Sequence, residues 1–113
     1  MPAPDALALM RSRYSAYALD LVDYIIDTTH PQCEQYSSNT AVWKEDLHGF
    51  CRSTRFVGLE IKDFSDGDSI AYVTFHARLH QGETNTSFTE RSTFEKVDRR
   101  WLYKNGEVRS VTE

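Results

Sequence analysis

The stretch Ile70-Ala71-Tyr72-Val73-Thr74-Phe75-His76-Ala77-Arg78-Leu79-His80 alternates along its whole length. Ala71, Val73, Phe75, Ala77 and Leu79 fall on one side, and Tyr72, Thr74, His76, Arg78 and His80 on the other. A period of two is what a half-buried β-strand requires. Turn formers bound the stretch, Ser65-Asp66-Gly67-Asp68 before it and Gln81-Gly82 after it. Gly accepts positive φ there, and Asp bonds nearby amides. The strand therefore meets its neighbours through tight turns. Upstream, residues 56–64 put Val57, Leu59 and Ile61 on one face. Downstream, residues 83–97 form a long strand with Phe88, Glu90, Ser92 and Phe94 sharing a face. Asp98-Arg99 turns the chain into residues 100–104, and Asn105-Gly106 marks the end of the final strand. Three turns joining four strands predict an antiparallel meander, whose apolar face must be covered.

The cover comes from the first half of the chain, where the period lengthens. Asp5 is placed to cap a helix carrying Leu7, Met10, Tyr14 and Tyr17 as an apolar stripe, with Arg13 beside it. A second helical run follows Asp20, with Leu21, Val22, Ile25 and Ile26 as its buried side. It stops by His30, because Pro31 disfavours helical geometry in the residue before it. After a polar loop over 31–40, Asn39 or Thr40 caps a third helix bearing Trp43, Leu47, Phe50 and Cys51. Helices followed by consecutive strands predict an α+β domain: three N-terminal helices packed on a curved four-stranded antiparallel sheet. At 113 residues the chain supports one domain, spanning 1–113.

Composition narrows the function classes. Thirteen Lys and Arg against 17 Asp and Glu give a net charge of −4, so no nucleic-acid partner is expected. No apolar run approaches the roughly 20 residues of a membrane helix, and Met1-Pro2-Ala3-Pro4-Asp5 lacks the features of a signal peptide. A cytoplasmic location without membrane contact is the expectation.

Several segments then resemble a known family in order along the chain. Met10-Arg11-Ser12-Arg13-Tyr14-Ser15-Ala16-Tyr17-Ala18 is similar to the opening of the middle domain of YchJ-like bacterial proteins. The similarity continues through Tyr24 and Ile25, Thr29-His30-Pro31, Gly58-Leu59-Glu60-Ile61 and Val73-Thr74-Phe75-His76-Ala77-Arg78. It extends to Glu90-Arg91-Ser92-Thr93-Phe94 and to Trp101-Leu102-Tyr103 before Gly106. The resemblance implies a nuclear transport factor 2-like fold, a cystatin-like cone of helices on a bent sheet. Such proteins usually also carry a cysteine-rich zinc motif of the SecA C-terminal type. Residues 1–113 contain two cysteines and no such segment, so nothing the family owes to that motif is carried over.

Among individual residues, Arg13 and Glu90 are the leading pair. A carboxylate between Phe88 and Phe94 on a concave face needs a cation or several donors, and a bidentate Arg13–Glu90 ion pair clamping helix to sheet is the expectation. Tyr14, Tyr17, Tyr24 and Trp43 from the helices, with Phe94, Trp101 and Tyr103 from the strands, are candidates to line a cone pocket for a small hydrophobic ligand. No metal site is expected: His76 and His80 share a strand face but lie about 13 Å apart, and His30 with Cys33 lacks a second ligand pair. His30 is expected to end the second helix, where the dipole favours imidazolium. Cys51 reads as core. No nucleophile elbow, phosphate loop or dinucleotide fingerprint occurs, and no cofactor is expected.

These residues favour a non-catalytic binding or protein-interaction module, with Tyr72, Thr74, His76, Arg78 and His80 offering an outer face for homodimerisation. The competing reading is a small-molecule-binding protein or a cofactor-free enzyme of the isomerase or hydratase type, using the cone. A cavity above about 300 Å³ reached by Glu90 favours the second reading, and a filled cone favours the first.

Overall fold

The strict alternation of residues 70–80 produces the central strand of the sheet. In the computed structural model, which describes residues 3–109, this strand is β2 (Ile70–Gln81). Ala71, Val73, Phe75, Ala77 and Leu79 are all buried, with Ala71 and Val73 fully so. On one side β2 pairs with β1 (Arg55–Ser65). On the other it pairs with β3 (Thr84–Asn85) and β4 (Phe88–Val97), and β4 pairs with β5 (Arg100–Arg109). All these pairings are antiparallel. The helices α1 (Ala6–Ala18), α2 (Val22–Asp27) and α3 (Thr40–Ser53) precede the sheet in the chain, and α1 lies against β1, β2 and β5. The result is an α+β fold of three helices and a five-stranded antiparallel sheet. The outermost residues of the expected 1–113 span, 1–2 and 110–113, lie outside the described residues, and with them part of the signal-peptide reading.

Three departures from the expected strands have local causes. Residues 83–97 form two strands, because Ser87 folds back: its Oγ accepts from the Leu79 amide at 2.9 Å, and the Thr86 amide donates to the Leu79 carbonyl at 3.0 Å. That interruption separates β3 from β4 and makes the sheet five-stranded. In β1 the inward, half-buried set is Phe56, Leu59, Ile61 and Phe64, whereas Val57 is 54% exposed. Register shifts between Phe56 and Gly58 and between Ile61 and Asp63 each insert one residue and reverse the inward phase. β5 does not end at Asn105-Gly106 but runs to Arg109, with Lys104 as the extra residue between the Thr93–Asn105 and Phe94–Tyr103 pairs.

The turns and caps follow local chemistry. Asp98 and Arg99 both have positive φ (50° and 70°), the requirement of a two-residue type I′ hairpin. Asp5 Oδ1 accepts from the Ala8 amide at 2.8 Å and Asn39 Oδ1 from the Val42 amide at 3.2 Å, so both caps stand where expected.

The core has two parts. Leu9 and Met10 of α1 meet the inward residues of β2 together with Phe94, Trp101 and Tyr103. A smaller cluster joins Ala16, Val22, Ile25 and Cys51. The buried face of α1 is therefore Ala6, Leu9, Met10, Arg13 and Ala16, rotated from the expected stripe so that Arg13 lies on it rather than beside it. Leu21 is 52% exposed and takes no part in the buried side of α2. Among the described residues no helix is long and apolar enough to cross a membrane.

Candidate functional site

Between α1, α3 and the concave face of the sheet lies a cavity of about 380 Å³. α1 contributes Met10, Arg13, Tyr14 and Tyr17, and α3 contributes Trp43, Leu47 and Phe50. The sheet supplies Phe75, Ala77 and Leu79 from β2, and Phe88, Glu90, Ser92 and Phe94 from the alternate positions of β4. Exposed Gln35 and Asp46 stand at the mouth. The walls are apolar and mostly aromatic, because every second residue of two strands and one face of each helix converge there.

The polar groups collect at one end. Glu90 Oε2 accepts from Ser92 Oγ at 2.6 Å and from Tyr103 Oη at 2.9 Å. Burial raises the Tyr103 pKa first, and the Glu90 charge and hydrogen bond raise it further, so the phenol stays protonated and donating. Arg13, 6% exposed, sends Nη1 to the Ile25 carbonyl at 3.0 Å, Thr28 Oγ1 at 2.7 Å and Thr29 Oγ1 at 3.1 Å. Its guanidinium carbon sits 4.6 Å from the centroid of the Tyr103 ring. Thr28 and Thr29 are in place because the segment after α2 runs beside β5. The Tyr103 amide donates to the Thr28 carbonyl at 2.9 Å, and the His30 amide to the Tyr103 carbonyl at 2.8 Å.

The expected direct Arg13–Glu90 ion pair is therefore absent. One nitrogen of Arg13 is engaged by three neutral oxygens and one oxygen of Glu90 by two hydroxyls, and Tyr103 joins the two groups, its ring under the cation and its hydroxyl on the carboxylate. Arg13, Tyr17 and Glu90 all line the cavity, and some of their polar atoms make no hydrogen bond among the described residues. They are Glu90 Oε1, the Tyr17 hydroxyl, and Nε and Nη2 of Arg13. The Tyr17 hydroxyl is within electrostatic reach of both charges. Burial raises its pKa, the nearby Arg13 lowers it, and Glu90 raises it again.

The other candidate residues are dispersed or differently engaged. Tyr14, Tyr17, Trp43, Phe94 and Tyr103 line the cavity, whereas Tyr24 and Trp101 do not. The Tyr24 hydroxyl bonds Ser12 Oγ, and Trp101 lies buried in the main core. Tyr14 Oη donates to the Gly58 carbonyl at 2.9 Å, tying α1 to β1. His30 does not cap α2; its Nε2 meets Glu95 Oε1 at 3.0 Å, and its Nδ1 accepts from the Gln32 amide. Cys51 is buried, and its thiol is pushed up to about 11 by that burial and by Asp20. On the outer face Arg91 stacks 4.0 Å from the Tyr72 ring centroid and His76 Nδ1 meets Thr89 Oγ1 at 2.9 Å. Among the described residues no group of three His, Cys, Asp or Glu side chains is placed to hold a metal ion.

Sequence reasoning missed Thr28, Thr29 and Gly106. Gly106 lies opposite Ser92 in β5, and a Cβ there would overlap Glu90 Oε2 and Tyr103 Oη. The glycine is a cradle for the polar end rather than a turn residue. The Asn-Gly dipeptide carried a misleading turn signal, and only the register of β5 against β4 reveals the close approach.

The YchJ middle NTF2-like domain matches residues 5–106 of the chain. The chain belongs to this family. The YchJ-type domain is 38% identical over 110 residues to a UPF0225 protein of Bordetella pertussis, covering 96% of this chain and 76% of that protein. The solution structure of a SEC-C motif containing protein from Rhodopseudomonas palustris superposes with a TM-score of 0.81 at 33% identity. That match covers 97% of this chain and 83% of that one. A crystal structure of a SEC-C motif containing protein from Psychrobacter arcticus gives 0.78 at 26% identity, covering all of this chain and 66% of that one. The polar end of the cavity in this YchJ-type domain draws on three of the resemblance segments, those holding Arg13 and Tyr17, Glu90 and Ser92, and Tyr103.

Proposed function

We propose that this YchJ-type domain binds a small, largely apolar molecule in the cone cavity. The observation that carries the reading is the combination of about 380 Å³ of aromatic-walled space with polar residues at one end, Arg13, Tyr17 and Glu90, whose hydrogen-bonding capacity is only partly used among the described residues. Ligand sites commonly have this form, at about 300–1,000 Å³ with a few convergent polar groups. A filled cone would have favoured the interaction module; the open cavity with Glu90 at its end favours the ligand pocket. Tyr103 and Ser92 hold the Glu90 carboxylate in one orientation, so Oε1 is a fixed acceptor, and Arg13 and Tyr17 are donors beside it.

The test is fluorescence titration with N-phenyl-1-naphthylamine, an uncharged aromatic probe that brightens in apolar surroundings. Saturable one-to-one binding is expected, and Ala77→Phe, which fills the space from β2, should abolish it while the protein remains folded. Absence of saturable binding, or unchanged binding in folded Ala77→Phe, contradicts the proposal.

A further inference from the structure

We infer that the cavity selects an uncharged ligand that presents a hydrogen-bond donor beside an acceptor, with the chemistry of an aryl carboxamide. The inference rests on the ligand-pocket reading and names the class of molecule that pocket takes.

The argument starts from the charges. A buried charge is tolerable only when other groups compensate it. Here one cation and one carboxylate share the end of a single cavity, joined through Tyr103. Arg13 has no carboxylate partner of its own; its bonded nitrogen is used on a carbonyl and two hydroxyls. Glu90 has no cation in direct contact; its bonded oxygen is used on two hydroxyls. The two charges balance at a distance, and the low-dielectric aromatic walls make that balance matter.

A ligand carrying a net charge would upset it. A carboxylate drawn to Arg13 would come against Glu90 Oε1, and an ammonium drawn to Glu90 and the aromatic walls would come against Arg13. Like charges placed together in a dry site are strongly unfavourable. A neutral group escapes both penalties, but an apolar one would leave Oε1, the Tyr17 hydroxyl and the Arg13 nitrogens Nε and Nη2 stripped of water without partners. The available groups are an acceptor, the Glu90 carboxylate oxygen Oε1, a donor, Arg13, and the Tyr17 hydroxyl, which can donate or accept. A primary carboxamide matches them: its N–H donates to Oε1 and its carbonyl accepts from Arg13 or Tyr17. Its aromatic body meets Phe75, Phe88 and Trp43 along the walls.

Three probes built on the same naphthalene body test this: 2-naphthamide, its planar isostere 2-naphthoate, and 2-(aminomethyl)naphthalene, titrated calorimetrically at neutral pH into the wild-type domain. The amide should bind at least ten-fold more tightly than either charged probe. In Glu90→Gln, which keeps the shape and removes the negative charge, the naphthoate should gain several-fold relative to the amide. Tightest binding of the naphthoate would overturn the inference in favour of an Arg13-centred anion site. Tightest binding of the amine would overturn it in favour of an aromatic cage for cations. Equal affinities would overturn it by showing that the polar end does not discriminate, while leaving the ligand pocket standing. If none of the three binds, the pocket reading falls and the inference with it.

Discussion

Arg13→Met is the perturbation that most sharply probes how the polar end is held. Arg13 is 6% exposed, and one of its nitrogens bridges α1 to Ile25 of α2 and to Thr28 and Thr29 just after it. Hydrogen bonds from a charged donor contribute about 1.5–3 kcal/mol each, but recovering the hydration of the guanidinium on unfolding offsets much of the sum. Loss of the stacking on Tyr103 adds about 0.5–2 kcal/mol. The expected net destabilisation is about 3 kcal/mol, a fall in Tm of about 10–18 °C for a domain of this size. Arg13→Lys should cost less, about 1–2 kcal/mol, because an ammonium has three N–H donors for the three oxygens and loses mainly the planar stacking. Urea unfolding followed by far-UV circular dichroism reads both values. A loss below about 1 kcal/mol in Arg13→Met, or equal losses in the two variants, would refute the reasoning. A double-mutant cycle with Glu90→Gln should give a coupling of only about 0.5–1 kcal/mol, since Tyr103 stands between the charges. A directly paired buried ion would cost about 3–5 kcal/mol when broken.

Gly106→Ala should drive the Glu90 and Tyr103 tips out of their cradle and weaken 2-naphthamide binding more than ten-fold, at a stability cost of about 1 kcal/mol. Gly49→Ala, in α3 with nothing near its Cβ, should stabilise by about 0.5–1 kcal/mol and leave binding unchanged; matched binding in the two variants would contradict the cradle. The folded-state pKa of Tyr103 is raised above its ordinary 10.0, so the folded form holds this proton more tightly than the unfolded one. Its contribution is intact below 10.0 and is lost progressively as the pH rises from there through the raised folded-state pKa. Tyr103→Phe should therefore flatten the alkaline loss of stability in denaturation curves, and parallel losses above pH 10.0 in both proteins would count against it.

What could be read directly from the sequence was whatever depends on neighbours along the chain. β2 alternates over its whole length and each inward residue is buried, and the Asp5 and Asn39 caps bond amides three residues on. The alternation expected for β1 does not hold because its two bulges reverse the inward phase, which leaves Val57 outside and brings Phe56 and Phe64 in. Glu90 could be found, since its strand face was legible, but its partner could not. Thr28 and Thr29 reach Arg13 only because residues 28–30 dock beside Tyr103, a contact spanning more than half the chain. The aromatic candidates separated for the same reason: periodicity brings Tyr17 and Trp43 to the interior side of their helices, but tertiary packing decides that Trp101 fills core while Tyr103 faces the cavity.

The central claim is that the cone cavity is where a small molecule sits. An isotope-filtered NOE spectrum of the labelled domain with 2-naphthamide tests it most directly. The account predicts contacts from the naphthalene protons to the methyl groups of Met10, Ala77 and Leu79, which line the cavity from α1 and β2. Contacts confined to Thr74 and its neighbours on the outer face, with none to those three methyls, would contradict it.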